Sequence, residues 1–248
     1  MKLLLSIHNL KKNYHTKQGE IKAVEHFSYD MKEGEFVSIV GPSGCGKSTI
    51  LSILCGLDKK SSGKIIKREN LKIGYMLQQD GLFPWRTILE NCYIGLELQN
   101  DLTNENKEYV KSLLETYGLK EFMNAYPSSL SGGMRQRVAL IRTLATKPDL
   151  LLLDEPFSAL DAHTRLVVCD DVWNIIKKEH KSAIMVTHDV EEAISCSDQV
   201  IVLTERPASI KQIYPIQLTD KTSPIHNRSC KEFSSYYNQI WKDIDFHV

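Results

Sequence analysis

The segment Gly41-Pro42-Ser43-Gly44-Cys45-Gly46-Lys47-Ser48-Thr49 constrains this chain more than any other. It has the pattern G-x-x-x-x-G-K-[ST], and the residues around it supply the two elements that such a loop needs. Ahead of it, Phe36 to Val40 is apolar but for Ser38, as a strand buried on both faces reads. Behind it, Ile50, Leu51, Leu54 and Leu57 recur at three- and four-residue spacing, the pattern of one helix face. Glycines let the backbone wrap so that successive N–H groups point inward at an anion, and the following helix adds the positive end of its dipole. The order strand, glycine-rich loop, helix therefore predicts a phosphate cradle. Lys47 is expected to reach the β and γ phosphates of a nucleotide and Ser48 to place its hydroxyl on Mg²⁺, while Cys45 is small enough to keep the loop tight.

Four more short apolar runs resemble the one before the loop: Ile73 to Leu77, Leu150 to Leu153, Ala183 to Thr187 and Val200 to Leu203. Helical spacings lie between them, for example Leu166, Cys169, Trp173 and Ile176. Strands alternating with helices predict a parallel sheet covered on both faces. From about 87 to 147 this rhythm breaks, because Val110, Leu113, Leu114 and Tyr117 keep helical spacing without a convincing strand, and an inserted helical subdomain is expected. The first thirty-odd residues and Ser61 to Lys72 are polar and turn-rich, punctuated by Gly34 and Gly63, which suits a small antiparallel sheet beside the core. In the extension from about 206 to 248, Phe233, Tyr237, Ile240, Trp241 and Ile244 fall at helical spacing. Their aromatic stripe suits either packing on the core or docking of a partner. No repeat or linker divides residues 1–248, so one α/β domain is expected.

Leu150-Leu151-Leu152-Leu153-Asp154-Glu155 ends a buried run in two acids, at the carboxyl edge where α/β sheets bind their ligands. Asp154 is expected to hold Mg²⁺, and Glu155 to orient and deprotonate a water beside the γ phosphate. Leu130-Ser131-Gly132-Gly133-Met134-Arg135-Gln136 begins another helix, with Ser131 as cap and apolar spacing through Met134, Val138, Ile141 and Ala145. Its bare glycines offer a second set of free N–H groups to an anionic oxygen.

Composition narrows the choice of partners. Lys plus Arg and Asp plus Glu both number 31, so there is no net charge to gather a polyanion, which argues against nucleic acid. The start, Met1 to His8, is too short an apolar run for a signal peptide, and no stretch approaches the roughly eighteen apolar residues of a membrane span. A cytoplasmic location is expected. Cys45, Cys55, Cys92, Cys169, Cys196 and Cys230 lie far apart in sequence, with no Cys-x-x-Cys pair, and are expected to be reduced thiols that mostly fill the core.

Beside the loop and the acid pair, the Ser131-Gly132-Gly133 helix start resembles the signature motif of ABC ATPases, and the likeness covers nearly the whole chain. In the family's order, Tyr14 resembles the aromatic that stacks on adenine and Gln78 the glutamine of the Q-loop. Ser158-Ala159-Leu160-Asp161 resembles the D-loop and His188 the switch histidine. The resemblance implies a P-loop (RecA-like), mostly parallel sheet core with an N-terminal antiparallel β-subdomain and an inserted α-helical subdomain. It implies ATP and Mg²⁺ as cofactors, the metal held by Ser48, Gln78 and Asp154, and Glu155, His188 and Gln78 as the catalytic set. Gln79 is the alternative to Gln78; the family's glutamine falls six residues before the proline, here Pro84, which favours Gln78.

In ABC ATPases the signature helix of one subunit closes over the nucleotide on the P-loop of the other. A homodimer is implied, with Tyr14 and the 41–49 loop on one side of each ATP and Ser131, Gly132, Gly133 and Asp161 on the other. Leu82-Phe83-Pro84-Trp85-Arg86 and Thr204-Glu205-Arg206-Pro207 look like stretches of the ATPases that serve importers of nitrate, sulfonates and taurine. That implies an integral-membrane permease as partner, an extracytoplasmic solute-binding protein behind it, and a place on the cytoplasmic face of the cell membrane. The alternative is a soluble ABC ATPase of the DNA repair or translation type. It would carry long heptad insertions, tandem halves or a basic surface, and the sequence has none of these.

Overall fold

The computed structural model describes residues 2–17 and 19–244; Met1 of the N-terminal run and residues 245–248 of the extension lie outside the described residues. The chain opens with two long strands, β1 (Leu3–Thr16) and β2 (Gly19–Lys32), followed by β3 (Phe36–Val40), helix α1 (Lys47–Cys55), β4 (Ser62–Lys67) and β5 (Ile73–Met76). Three helices come next: α2 (Ile88–Leu98), α3 (Asn104–Thr116) and α4 (Gly132–Leu144). Strand and helix then alternate through β6 (Leu150–Asp154), α5 (Ala162–Lys178), β7 (Ser182–Val186), α6 (Val190–Cys196) and β8 (Gln199–Leu203). The end holds β9 (Ile210–Pro215), α7 (Pro224–Asn227) and α8 (Phe233–Ile244).

Among the described residues the strands form two sheets. One is antiparallel, in the order β2-β1-β4. The other runs β5-β6-β7-β3-β8-β9, parallel except for β9, which pairs antiparallel with β8. Side chains alternate across this second sheet, so each parallel strand supplies two cores. Leu151, Leu153, Ala183 and Met185 face the helices α2 to α5. Leu150, Leu152, Ile184, Val186, Val37 and Ile39 face α1 and the antiparallel sheet. Exposure of one side would give strict polar–apolar alternation, whereas the sequence shows runs that are mostly apolar on both faces.

The five expected strands form to within a residue or two. Leu57 does not extend α1: the helix stops at Gly56, whose left-handed backbone (φ 86°) turns its N–H back to the Ile53 carbonyl, leaving Leu57 72% exposed. β9 carries Lys211, Gln212 and Pro215 with only intermediate or exposed positions, as an edge strand does, and its sequence gives no apolar run to read. Cys169 on α5 and Cys196 on α6, distant in sequence, stand with their sulfurs 3.1 Å apart in the core. The extension packs inward: Phe233, Ile240 and Ile244 of α8 are buried against Val190, Ile194, Val200 and Val202. Asn227 donates to the Ser195 carbonyl and Lys221 to that of Ser197, so the tail is tied to the end of α6.

Candidate active site

The parallel register brings several strand ends to one edge. Val40 lies beside Val202, Asp154 beside Val186 and Met76 beside Leu153, so the segments that follow β3, β5, β6 and β7 emerge together. Between them is a cleft of about 500 Å³, lined by residues of the 41–49 loop together with Glu155 and His188. The loop can lie this close to the rest of the fold only with glycine at 46. A Cβ there would stand 2.7 Å from the Ala23 carbonyl, and the backbone is left-handed (φ 131°). Cys45 is buried under the loop, and burial raises its thiol pKa, so it is inert filler.

Within the cleft, Lys47 donates from Nζ to the carbonyls of Gly41 (2.8 Å) and Pro42 (2.9 Å), which holds its ammonium over the loop. No acid lies in the first turn of α1, so its dipole is unneutralised at the phosphate end. Asp154 is fixed at both oxygens: Ser48 Oγ donates to Oδ1 (2.9 Å) and the Tyr75 hydroxyl to Oδ2 (2.9 Å).

Glu155 has a left-handed backbone, φ 45°, which for a non-glycine residue costs on the order of 1 kcal/mol. Its N–H donates to the Val186 carbonyl (2.9 Å), while its own carbonyl accepts from the N–H and hydroxyl of Ser158, so the strained turn is held on both sides. The carboxylate faces the cleft, accepting from Gln78 Nε2 (3.2 Å) with His188 Nδ1 also 3.2 Å away. Gln78 makes these contacts, and it also reaches Ser158 Oγ (3.4 Å).

Behind the exposed His188 stands a hydrogen-bond set absent from the sequence reading. Thr187 Oγ1 donates to Glu192 Oε2 (2.6 Å) and accepts from the Asp189 N–H (3.0 Å), pinning the residues on both sides of the histidine. Glu192 is 3% exposed, and burial raises its carboxyl pKa to about 7.

The remaining expected residues lie elsewhere. Ser131 caps α4, its hydroxyl accepting from the Met134 N–H, and Asp161 caps α5, its carboxylate accepting from Thr164 N. Neither they nor Gly132 and Gly133 line the cleft. Tyr14 also stands outside it, half-exposed, donating to Asp58 Oδ2 (2.7 Å), with Lys12 Nζ 4.4 Å over one face of its ring. Lys12 and Tyr14 together hold the Asp58 carboxyl below the usual range. From α4, Arg135 binds the Asp80 carboxylate (3.0 Å) and Arg142 the Asp80 carbonyl (2.6 Å), tying the signature helix to the loop after Gln78.

Residues 24–158 match the family described as ABC transporter. The chain belongs to that family. It is an ATP-binding protein of the ABC type and an ATPase, with the α/β architecture of the family's cassettes. An ABC transporter ATP-binding protein of Bacillus subtilis is 42% identical over 97% of this chain and 95% of its own length. The aliphatic sulfonates import ATP-binding protein of Bacillus cereus is 38% identical over 98% of this chain and 97% of its own. Among solved structures, a dimeric ATP-binding cassette in a post-hydrolysis state, bound to ADP and Pi, superposes with a TM-score of 0.73. It is 32% identical and covers 86% of this chain and 99% of that one. Gln78, Glu155 and His188, expected from the ordered set of motifs, meet at one edge of the sheet. Tyr75, Thr187 and Glu192 had no such signal, since a tyrosine inside a strand and a glutamate in a helix's first turn are ordinary in both places.

Proposed function

We propose that the chain is the ATP-hydrolysing subunit of a solute importer, and that two copies close head to tail over two ATP molecules. The observation that carries this reading is the separation within one chain. Residues of the loop, Glu155 and His188 line one cleft, with Asp154 bonded to Ser48 and Gln78 to Glu155, whereas the Ser131-Gly132-Gly133 helix start and Asp161 neither line it nor bond to those residues. Two-fold pairing lets each signature helix meet the triphosphate on the other copy, and the dimeric cassette with ADP and Pi supports that pairing.

In the closed site the 41–49 loop and Lys47 bind the phosphates. Glu155 takes a proton from the attacking water, while Gln78 and His188, both within hydrogen-bonding reach of its carboxylate, hold that carboxylate and the γ phosphate in line. Ser48 Oγ and Asp154 Oδ1 stand 2.9 Å apart, two oxygens that suit a cation taking only a few protein ligands. Ser48, Asp154 and Gln78 fit Mg²⁺, which when bound neutralises charge on the β and γ phosphates. The γ phosphate bridges both copies, so its loss releases them.

No helix among the described residues is long and apolar enough to cross a membrane. Phe83 and Trp85 stack, ring centroids 5.1 Å apart, with Trp85 71% exposed, an apolar surface where a permease helix can seat on the cytoplasmic face. The sulfonate-import relative supports a small solute of the nitrate, sulfonate or taurine kind, delivered by an extracytoplasmic binding protein. Affinity purification of the tagged full chain from detergent-solubilised membranes tests this: an integral-membrane permease should copurify, and substituting Trp85 by Asp should cut its recovery. Recovery of the chain with no membrane partner overturns the importer reading.

A further inference from the structure

Arg165 sits one turn into α5, four residues after Asp161, and its guanidinium spans two loops that the sequence keeps apart. Nη2 donates to the carbonyl of Leu160 in the 158–161 loop (3.0 Å). Nη1 lies 3.6 Å from Asp189 Oδ2, and Nε 3.8 Å from Glu192 Oε1. Nε is buried with no hydrogen-bond partner, so the fork is seated on Leu160 and stops just short of bonding Glu192.

What lies on each side gives this bridge its meaning. On one side, Asp189 and Glu192 hold Thr187, and with it both neighbours of His188. On the other, Leu160 is packed against the signature helix, where a Cβ on Gly132 would stand 3.0 Å from Leu160 Cδ2. A Cβ on Gly133 would stand 2.7 Å from Val168 Cγ2 and 3.2 Å from Thr164 Cγ2. The glycine pair is therefore seated on the 158–161 loop and the first turns of α5 without room for a methyl group, and a shift of one must move the other.

We infer that Arg165 is a positioning residue that couples the signature helix and the 158–161 loop to the loop carrying His188. When the signature helix of this chain closes on the partner's ATP, Leu160 moves with it, and Arg165 carries that movement to Asp189 and Glu192 and so to His188. Each site is thereby informed that the other has closed, and hydrolysis at the two sites becomes cooperative. The inference rests on the dimeric, Glu155-driven reading above.

The test is steady-state hydrolysis by the purified full chain over a range of ATP concentrations, with ATP binding measured separately. Arg165→Ala should lower kcat about tenfold while KM and ATP affinity stay within about twofold, and the Hill coefficient for ATP should fall toward one. Arg165→Lys keeps the charge but loses the planar fork that spans both sides, and should restore part of kcat without restoring the Hill coefficient. Glu192→Gln should act in the same direction, and its effect should not add to that of Arg165→Ala in the double variant. If Arg165→Ala does not fold, the comparison of Arg165→Lys with Glu192→Gln decides the matter, since both keep the side chain's volume. Loss of activity by KM alone, an unchanged Hill coefficient, or full additivity overturns the inference. A Glu155→Gln chain that still hydrolyses ATP overturns the underlying reading instead.

Discussion

Two helix starts in this chain have nearly the same local chemistry and quite different surroundings. α1 follows a glycine-rich loop and α4 opens on two glycines, and neither has an acid in its first turn, so both offer a bare dipole and free N–H groups to an anion. At α1 the tertiary structure adds Asp154, Glu155, Gln78 and His188 at hydrogen-bonding distances from one another or from the loop. At the start of α4 it adds packing on Leu160, Thr164 and Val168 and a tie to Asp80. A phosphate-binding helix start is thus a local property, whereas a catalytic site depends on what stands opposite, and only one of the two has that within a single chain.

The sharpest way to break this contrast is at Glu155. Glu155→Gln keeps the hydrogen bond from Gln78 and the shape of the cleft but removes the base. Hydrolysis should fall between about a hundredfold and ten-thousandfold, with ATP still bound and the dimer accumulating. Phosphate release and size-exclusion chromatography in ATP read both. Wild-type turnover would take Glu155 out of the chemistry and leave α1 no more catalytic than α4.

Next in size is a change confined to α4. Gly133→Leu forces a side chain where even a Cβ meets Val168 at 2.7 Å, so the helix start must shift. Hydrolysis should drop at least tenfold, whereas ATP binding to the single chain, a property of the 41–49 loop, should persist within about threefold. Equilibrium titration with a fluorescent ATP analogue separates the two. Loss of binding by the monomer would mean that both helix starts serve one nucleotide in one chain.

The sequence revealed these two halves unequally, for a physical reason. Runs such as Leu150 to Leu153 are legible because a strand covered on both faces admits few polar residues, and the 41–49 loop because phosphate wrapping dictates its glycines. Gln78 and His188 became legible only as members of an ordered set, since a lone polar residue after a strand says little. Cys169 with Cys196, and Glu192 with Arg165, were out of reach because their partners lie on different helices and only packing brings them together. Glu192 reads as an ordinary acid in a helix's first turn, yet it is 3% exposed, with Thr187 and Arg165 of α5 beside its carboxyl.

That burial has a consequence for pH. Burial raises the Glu192 carboxyl to about 7 from an unfolded value near 4.5, so the folded state prefers the neutral acid. The stabilisation from binding that proton is complete below about pH 4.5 and is lost as pH rises through 7, a change on the order of 3 kcal/mol. Glu192→Gln does not titrate and can still accept from Thr187. Its melting temperature relative to wild type should therefore rise between pH 5 and pH 8, by several degrees. A difference independent of pH would show that Arg165 keeps Glu192 ionised throughout. The α4 half has no buried carboxyl of this kind among its capping contacts, and Gly133→Leu should show no such pH trend.

The smallest effect is expected at Tyr14, which the fold places beside the cleft instead of in it. One face of its ring is covered by Lys12 at 4.4 Å, and its hydroxyl is anchored on Asp58, so only the opposite face is left for a base. If adenine stacks there, Tyr14→Ala should weaken ATP binding by about 1–3 kcal/mol, and weaken binding of the nucleoside triphosphates less the smaller their base. Tyr14→Phe separates stacking from anchoring: it keeps the ring and loses the bond to Asp58, so affinity should change by less than about threefold. Equal losses in the two variants would mean that Tyr14 acts by fixing Asp58 and Lys12 near the loop. Adenine would then be held by the phosphates it is attached to, and α1 with its loop would account for nucleotide binding without help from β1.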